Sequence, residues 1–160
     1  MHADIRVQTE DFDLPAEWAA CRERCGGDCG AIVAFGGLVR DRFGDSEVQA
    51  LHLEHYPGMT EDSIRRIVEQ AAERWRLLDV VVVHRVGDLA ANEQIVLVLA
   101  ASGHRPDAFA ACEFIMDYLK TDAVFWKKER REDGDVWIES TADDRSRRES
   151  WGETAESTST

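Results

Sequence analysis

The chain has 160 residues, of which 19 are lysine or arginine and 32 aspartate or glutamate, so its formal net charge is −13. That balance argues against a nucleic-acid partner, because such binding starts from a basic footprint, while a 44% hydrophobic content is ordinary for a globular chain. One domain is the expectation at this length, with enough buried surface to need neither disulfides nor a structural metal.

Residues 4–9 alternate in polarity and are predicted as a strand. Asp13 then precedes Leu14-Pro15, a cap with proline in the first helical turn, and residues 15–25 are predicted as a short helix ended by Gly26-Gly27. Residues 30–39 form an apolar, small-residue strand in which Gly36-Gly37 marks a bulge or a close backbone approach. A polar loop follows at 40–46. Residues 47–54 alternate with period two, placing Val48, Ala50, Leu51 or Leu53 on a half-buried face. After a turn at 55–59, Thr60 is placed to cap a helix to Arg76, with Ile64, Ile67, Val68, Ala71 and Trp75 as its buried stripe.

The β-branched run 79–86 predicts a strand, and Gly87–Glu93 a turn. Residues 94–101, apolar on both faces, predict a central strand. Pro106 opens a helix to Lys120 with Phe109, Cys112, Ile115, Met116 and Leu119 as its stripe. Residues 124–129 and 136–139 are strands joined at Asp133-Gly134, a hairpin signal. Residues 1–140 form the domain. The last twenty residues are nearly devoid of apolar side chains apart from Trp151 and are predicted to be an acidic, disordered tail; deletion of residues 145–160 is expected to leave the melting temperature almost unchanged. The order of elements implies α+β with a mainly antiparallel sheet and two principal helices.

No apolar run approaches the roughly 20 residues of a membrane span. Residues 1–10 lack a basic region followed by an apolar stretch. Both observations lead to a cytoplasmic expectation. Cys21, Cys25 and Cys29 are spaced C-x3-C-x3-C, with no fourth cysteine or histidine adjacent. A zinc site wants four ligands at tighter spacing, so the expectation is free thiols in a reducing compartment and no metal. Cys112, on the apolar helix stripe, is expected in the core.

The lysines carry the sharper signal. Arginines number 16 and lysines three, namely Lys120, Lys127 and Lys128, all within nine residues. Arginine stays charged at any workable pH, whereas burial and a neighbouring cation lower a lysine's pKa until the amine can act as base or nucleophile. Lys127 and Lys128 are adjacent on a strand and point to opposite faces, so only one can share a pocket with Lys120. Of the two His-Arg pairs, His84-Arg85 lies in a strand and reads as structural. His104-Arg105 directly precedes a helix, where free N–H groups and a guanidinium make an anion site. At 1.5 Å per residue, His104 and Lys120 lie roughly 22 Å apart along that helix, so one helix cannot bring them together. A solvated face for these charges remains the competing account.

The segments GAIVAFGGLVRD, LHLEHYPGMTE, VVVHRVGDL, ASGHRPDAFAACEFIMDYLK and FWKKE, in this order, resemble the large, catalytic subunit of molybdopterin synthase over about residues 5 to 139. The resemblance implies an α/β-hammerhead fold and a large-subunit homodimer. Each end of the dimer would carry a small ubiquitin-like sulfur-carrier subunit with a Gly-Gly C-terminus, giving a heterotetramer. It implies transfer of two sulfurs from the carrier's thiocarboxylate to cyclic pyranopterin monophosphate, without metal or other cofactor. By position it makes Lys120 and Lys127 catalytic, and Arg40, His104, Arg105, Lys128 and Glu129 substrate-binding, with the pocket spanning the dimer interface. Leu38, where a polar or basic residue is expected, and Val124, where a proline is expected, depart from the family pattern. A non-catalytic relative that binds the carrier or a phosphorylated pterin is the alternative.

Overall fold

Four consecutive valines, Val80–Val83, have no polar side to offer, and the strand containing them is covered on both faces. The structure, a computed structural model, describes residues 1–43, 46–132 and 134–156, with the side chains of 42–49 and 153–156 outside the description. Strand β5 (Leu77–Arg85) pairs antiparallel with β7 (Gln94–Ser102), and these two form the centre of a four-stranded sheet. Strand β1 (His2–Gln8) lies parallel to β5 at one edge, and β2 (Ala31–Leu38) antiparallel to β7 at the other. The register of β2 on β7 shifts between Gly37 and Leu38. A Cβ on Gly37 would come within 2.7 Å of Val96 Cγ1, so the glycine pair permits both a bulge and a close approach.

Period two sorts the two sides of this sheet. Val80, Val82, Val96, Val98 and Ala100 pack with Ile64, Ile67, Val68 and Ala71 of α2 (Met59–Arg74) and with Phe114 and Ile115 of α3 (Arg105–Leu119). Val81, Val83, Leu97, Leu99 and Ala101 face α1 (Leu14–Cys25) through Phe12 and Cys21. Each fully buried aliphatic side chain contributes about 1.5–3 kcal/mol. The α2 stripe is therefore as expected, whereas that of α3 is rotated. Phe109 is 61% exposed, and Ala108, Ala111, Phe114 and Tyr118 join Cys112, Ile115 and Leu119 inside. A helix packed against both a sheet and a second helix buries a broader arc than one stripe.

A second sheet runs β3 (Arg42–Phe43), β4 (Ser46–His55), β8 (Phe125–Arg131), β9 (Gly134–Ile138), with β6 (Gly87–Ala90) also on β4. The expected turn at 87–93 thus contains a short strand. Of the expected hairpin turn, Asp133 lies outside the described residues, as does the side chain of Val48. Gly134 sits at φ +120°. Thr60 does not cap α2, whose N-cap is Gly58; its buried hydroxyl instead donates to the Val124 carbonyl, tying α2 to the entry of β8. A small core of Val39, Leu53, Val86 and Leu89 joins the two sheets.

The C-terminal segment differs from expectation. Ala142–Glu156 is a helix, α4. Thr141 and Asp144 cap it reciprocally: the Asp144 N–H donates to Thr141 Oγ1 at 3.1 Å, and the Thr141 N–H to Asp144 Oδ2 at 3.2 Å. Trp151 then lands on Trp75 and Phe114, with ring centroids 5.6 and 5.5 Å away. Among the described residues, no helix is long and apolar enough to cross a membrane.

Candidate active site

Where the two sheets, the end of α3 and the start of α4 converge, they enclose a cleft of about 1230 Å³. Its wall includes Phe35–Leu38 of β2 with Val39 and Arg40 just beyond it, His84 from β5, Lys120 beyond α3, Lys127 and Glu129 from β8, and Ser140, Thr141, Asp143 and Asp144 around the start of α4. Lys120 is the C-cap of α3, where the helix dipole favours a cation. Lys127 reaches the same place from a strand, and its side chain meets that of Lys120.

The pairing has an electrostatic consequence. Burial removes water from the Lys127 ammonium, and the adjacent Lys120 charge repels it; together they bring its pKa down to about 8 against the partial support of Asp144 and Glu129. The amine therefore carries a substantial neutral fraction near physiological pH while keeping a proton donor beside it.

His84 borders the same space. Its Nδ1–H donates to the Arg85 carbonyl at 2.9 Å, and the ring stacks on Phe125 with centroids 4.1 Å apart. Burial first, then the charges of Lys127 and Lys120, push its pKa down to about 4. It is thus a neutral imidazole with its tautomer set and Nε2 unprotonated. Sequence reasoning treated it as structural; the absence of any polar neighbour in the valine run before it was the available signal. Arg85, on the opposite face, is also buried, its guanidinium donating to the Thr9 and Gln94 carbonyls.

The remaining expected residues divide. Arg40 and Glu129 line the cleft with the lysine pair, and Glu129 is buried and bonded by Arg131. Lys128 points to the opposite face of β8, where its Nζ lies 3.3 Å from Asp135 and 5.5 Å from the Trp137 ring centroid. His104 and Arg105 are exposed at the far end of α3, and one protomer does not bring them to the cleft. Asp143 and Asp144 were missed because α4 was; the T-x-x-D capping pattern at Thr141–Asp144 was the legible signal.

Comparison with known proteins places these features in context. Residues 7–122 match the family model described as MoaE protein. The molybdopterin synthase catalytic subunit of Ralstonia nicotianae is 53% identical over 148 residues, 92% of this chain and 84% of that protein. The molybdopterin biosynthesis MoaE protein from Burkholderia ambifaria superposes with a TM-score of 0.81 at 51% identity, covering 94% of this chain and 98% of that one. At the level of fold alone, this chain is also similar to one in the complex of subunits 1 and 2 of molybdopterin-converting factor from Helicobacter pylori. That match has a TM-score of 0.66 at 20% identity, covering 85% and 89% of the two chains.

Proposed function

Because this chain belongs to the MoaE protein family, we propose that it is the catalytic subunit of a molybdopterin synthase, a sulfurtransferase. It moves two sulfurs from the thiocarboxylate of a small carrier protein to cyclic pyranopterin monophosphate. The observation that carries this reading is the Lys120–Lys127 pair in the cleft, with Lys127 tuned to about 8. Adding sulfur at carbon and opening a cyclic phosphate both require protons to be removed and returned. A partly neutral amine beside a charged one serves both needs. Lys127 takes the proton and Lys120 holds charge that develops on the substrate. Arg40 supplies a guanidinium for the phosphate, which it can grip by two parallel hydrogen bonds.

The proposed assembly is a homodimer carrying a small ubiquitin-like carrier, with a Gly-Gly C-terminus, at each end. In this heterotetramer, His104 and Arg105 of one large subunit complete the cleft of the other, which accounts for their exposure in the single chain. Lys128 holds the outer face of β8 through Asp135 and Trp137. Gly36 and Gly37 on the cleft wall carry no side chain to obstruct an extended Gly-Gly tail. The proposed setting is cytoplasmic, where the free cysteines stay reduced.

The test is reconstitution with thiocarboxylated carrier and cyclic pyranopterin monophosphate, assaying molybdopterin as its fluorescent oxidised derivative. Product is expected from the wild-type protein and should be lost in Lys120→Ala with carrier binding retained. Carrier binding without product in the wild-type protein would replace this reading with a non-catalytic, carrier-binding relative.

A further inference from the structure

Three sulfurs and a buried carboxylate gather on the face of the central sheet opposite α2 and α3. Cys21 lies near the end of α1 and is fully buried, and Cys25 is the last residue of that helix. Asp79, fully buried, rises from β5 to meet them. One ligand atom from each of Cys21, Cys25 and Asp79 lies within 4.8 Å of the other two. Cys21 neighbours Asp79 and Cys25, and Cys25 neighbours Cys29, whose thiol donates to the Ala31 carbonyl at 3.4 Å. Asp79 is anchored from two further sides. Arg24 donates to Oδ2 through Nε at 2.9 Å and Nη2 at 2.8 Å, and His2 Nδ1 lies 2.7 Å from Oδ1.

We propose that Cys21, Cys25 and Asp79 form a three-ligand binding site for a zinc ion. The donor set of two thiolates and a carboxylate is one that zinc accepts in tetrahedral geometry. The charges balance. Without metal, Asp79 and Arg24 cancel. With Zn²⁺ bound, both thiol protons leave to solvent, and two thiolates and Asp79 contribute −3 against +2 from the ion and +1 from Arg24, again zero. Arg24 remains on Oδ2 as the kind of outer hydrogen bond that orients a ligating carboxylate. Both ligating thiols must lose their protons to bind the ion, so loading releases protons to solvent. The ion would pin the end of α1 to β5, on the side of the sheet away from the lysine cleft.

The full-length protein, reduced and stripped of metal with a chelator, is titrated with zinc alone against a chromogenic zinc indicator. Its thermal unfolding is followed in parallel. One zinc per chain, with a rise in melting temperature, is expected. Cobalt substituted into the site should give the thiolate charge-transfer absorption of at least two sulfurs. Cys25→Ser, at a half-buried position that leaves the core intact, should weaken zinc binding at least ~10-fold; Cys112→Ser, on α3, should leave it unchanged. Failure to retain zinc at micromolar free metal, equal binding by Cys25→Ser, or a cobalt spectrum without thiolate bands would each overturn the site.

Discussion

At the residue scale the lysine pair and His84 behave as one electrostatic unit. Burial is the larger cause at both shifted groups; the Lys120 charge adds to it at Lys127, and both lysine charges add to it at His84. Replacing Lys120 by alanine removes the repelling charge, so the Lys127 pKa should rise from about 8 toward that of a free lysine. The pH dependence of Lys127 acylation by an amine-reactive label, mapped by mass spectrometry, reads this directly; an unchanged midpoint would show that the two amines do not interact. His84 gives a stability signature. Its folded pKa of about 4 lies below the ordinary 6.5, so the unfolded chain binds the extra proton between those values. The stability from this group is complete above pH 6.5 and is lost as pH falls toward 4. A shift of that size is worth about 3 kcal/mol at 1.36 kcal/mol per unit. Denaturant unfolding across this range should show the loss, and His84→Gln should flatten it. The lysine cluster was legible because composition isolated it, whereas His84 was not, because a buried histidine at a strand end looks the same whether or not a cleft lies beside it.

At the scale of elements, α4 is the instructive case. Its composition is that of a solvated tail, and one apolar residue, Trp151, anchors it. The indole stacks edge-on against Trp75 and Phe114, and its Nε1–H donates to Asp117 at 2.8 Å. Arg147 adds Glu113 and Asp117, and Arg148 adds Asp122, though such surface pairs contribute little each. Trp151→Ala should cost about 2 kcal/mol, between an aromatic pair and a fully buried tryptophan. In a chain of this size that is a drop of roughly 4–8 °C in melting temperature, measurable by calorimetry. Removal of residues 145–160 should therefore lower the melting temperature, contrary to the expectation from composition. The rotated stripe of α3 has a related origin. Periodicity locates an apolar arc, but the partners a helix meets decide which part of that arc is covered.

At the scale of the whole molecule, the separation of His104-Arg105 from the Lys120 cleft is the observation behind the proposal that a second chain completes it. If two copies share each cleft, a mixture of Lys120→Ala and Arg105→Ala chains should show activity well above that of either variant alone, because half the sites in mixed dimers carry both intact groups. Random reassortment puts half of all dimers in the mixed class, so the recovery should reach roughly a quarter of the wild-type rate. Rates measured after co-refolding the two variants, at low substrate, give the answer; no recovery would confine each site to one chain. Arg105→Ala by itself should weaken substrate affinity by about 1.5–3 kcal/mol, the range for a hydrogen bond to a charged group, as read by titration calorimetry.

Read alone, the sequence determined the strands and helices that build the core, the central position of the 94–101 strand, the α+β class and the lysine cluster. These follow from period, branching and composition, which are local properties of the chain. Only the tertiary structure decided which lysine shares the cleft, that His84 joins it, that α4 closes one wall, and that Asp79 meets Cys21 and Cys25 from another element. Such meetings depend on the register of strands and the packing of helices on a sheet. Those distances are set by contacts between residues far apart in the chain, and no local pattern encodes them.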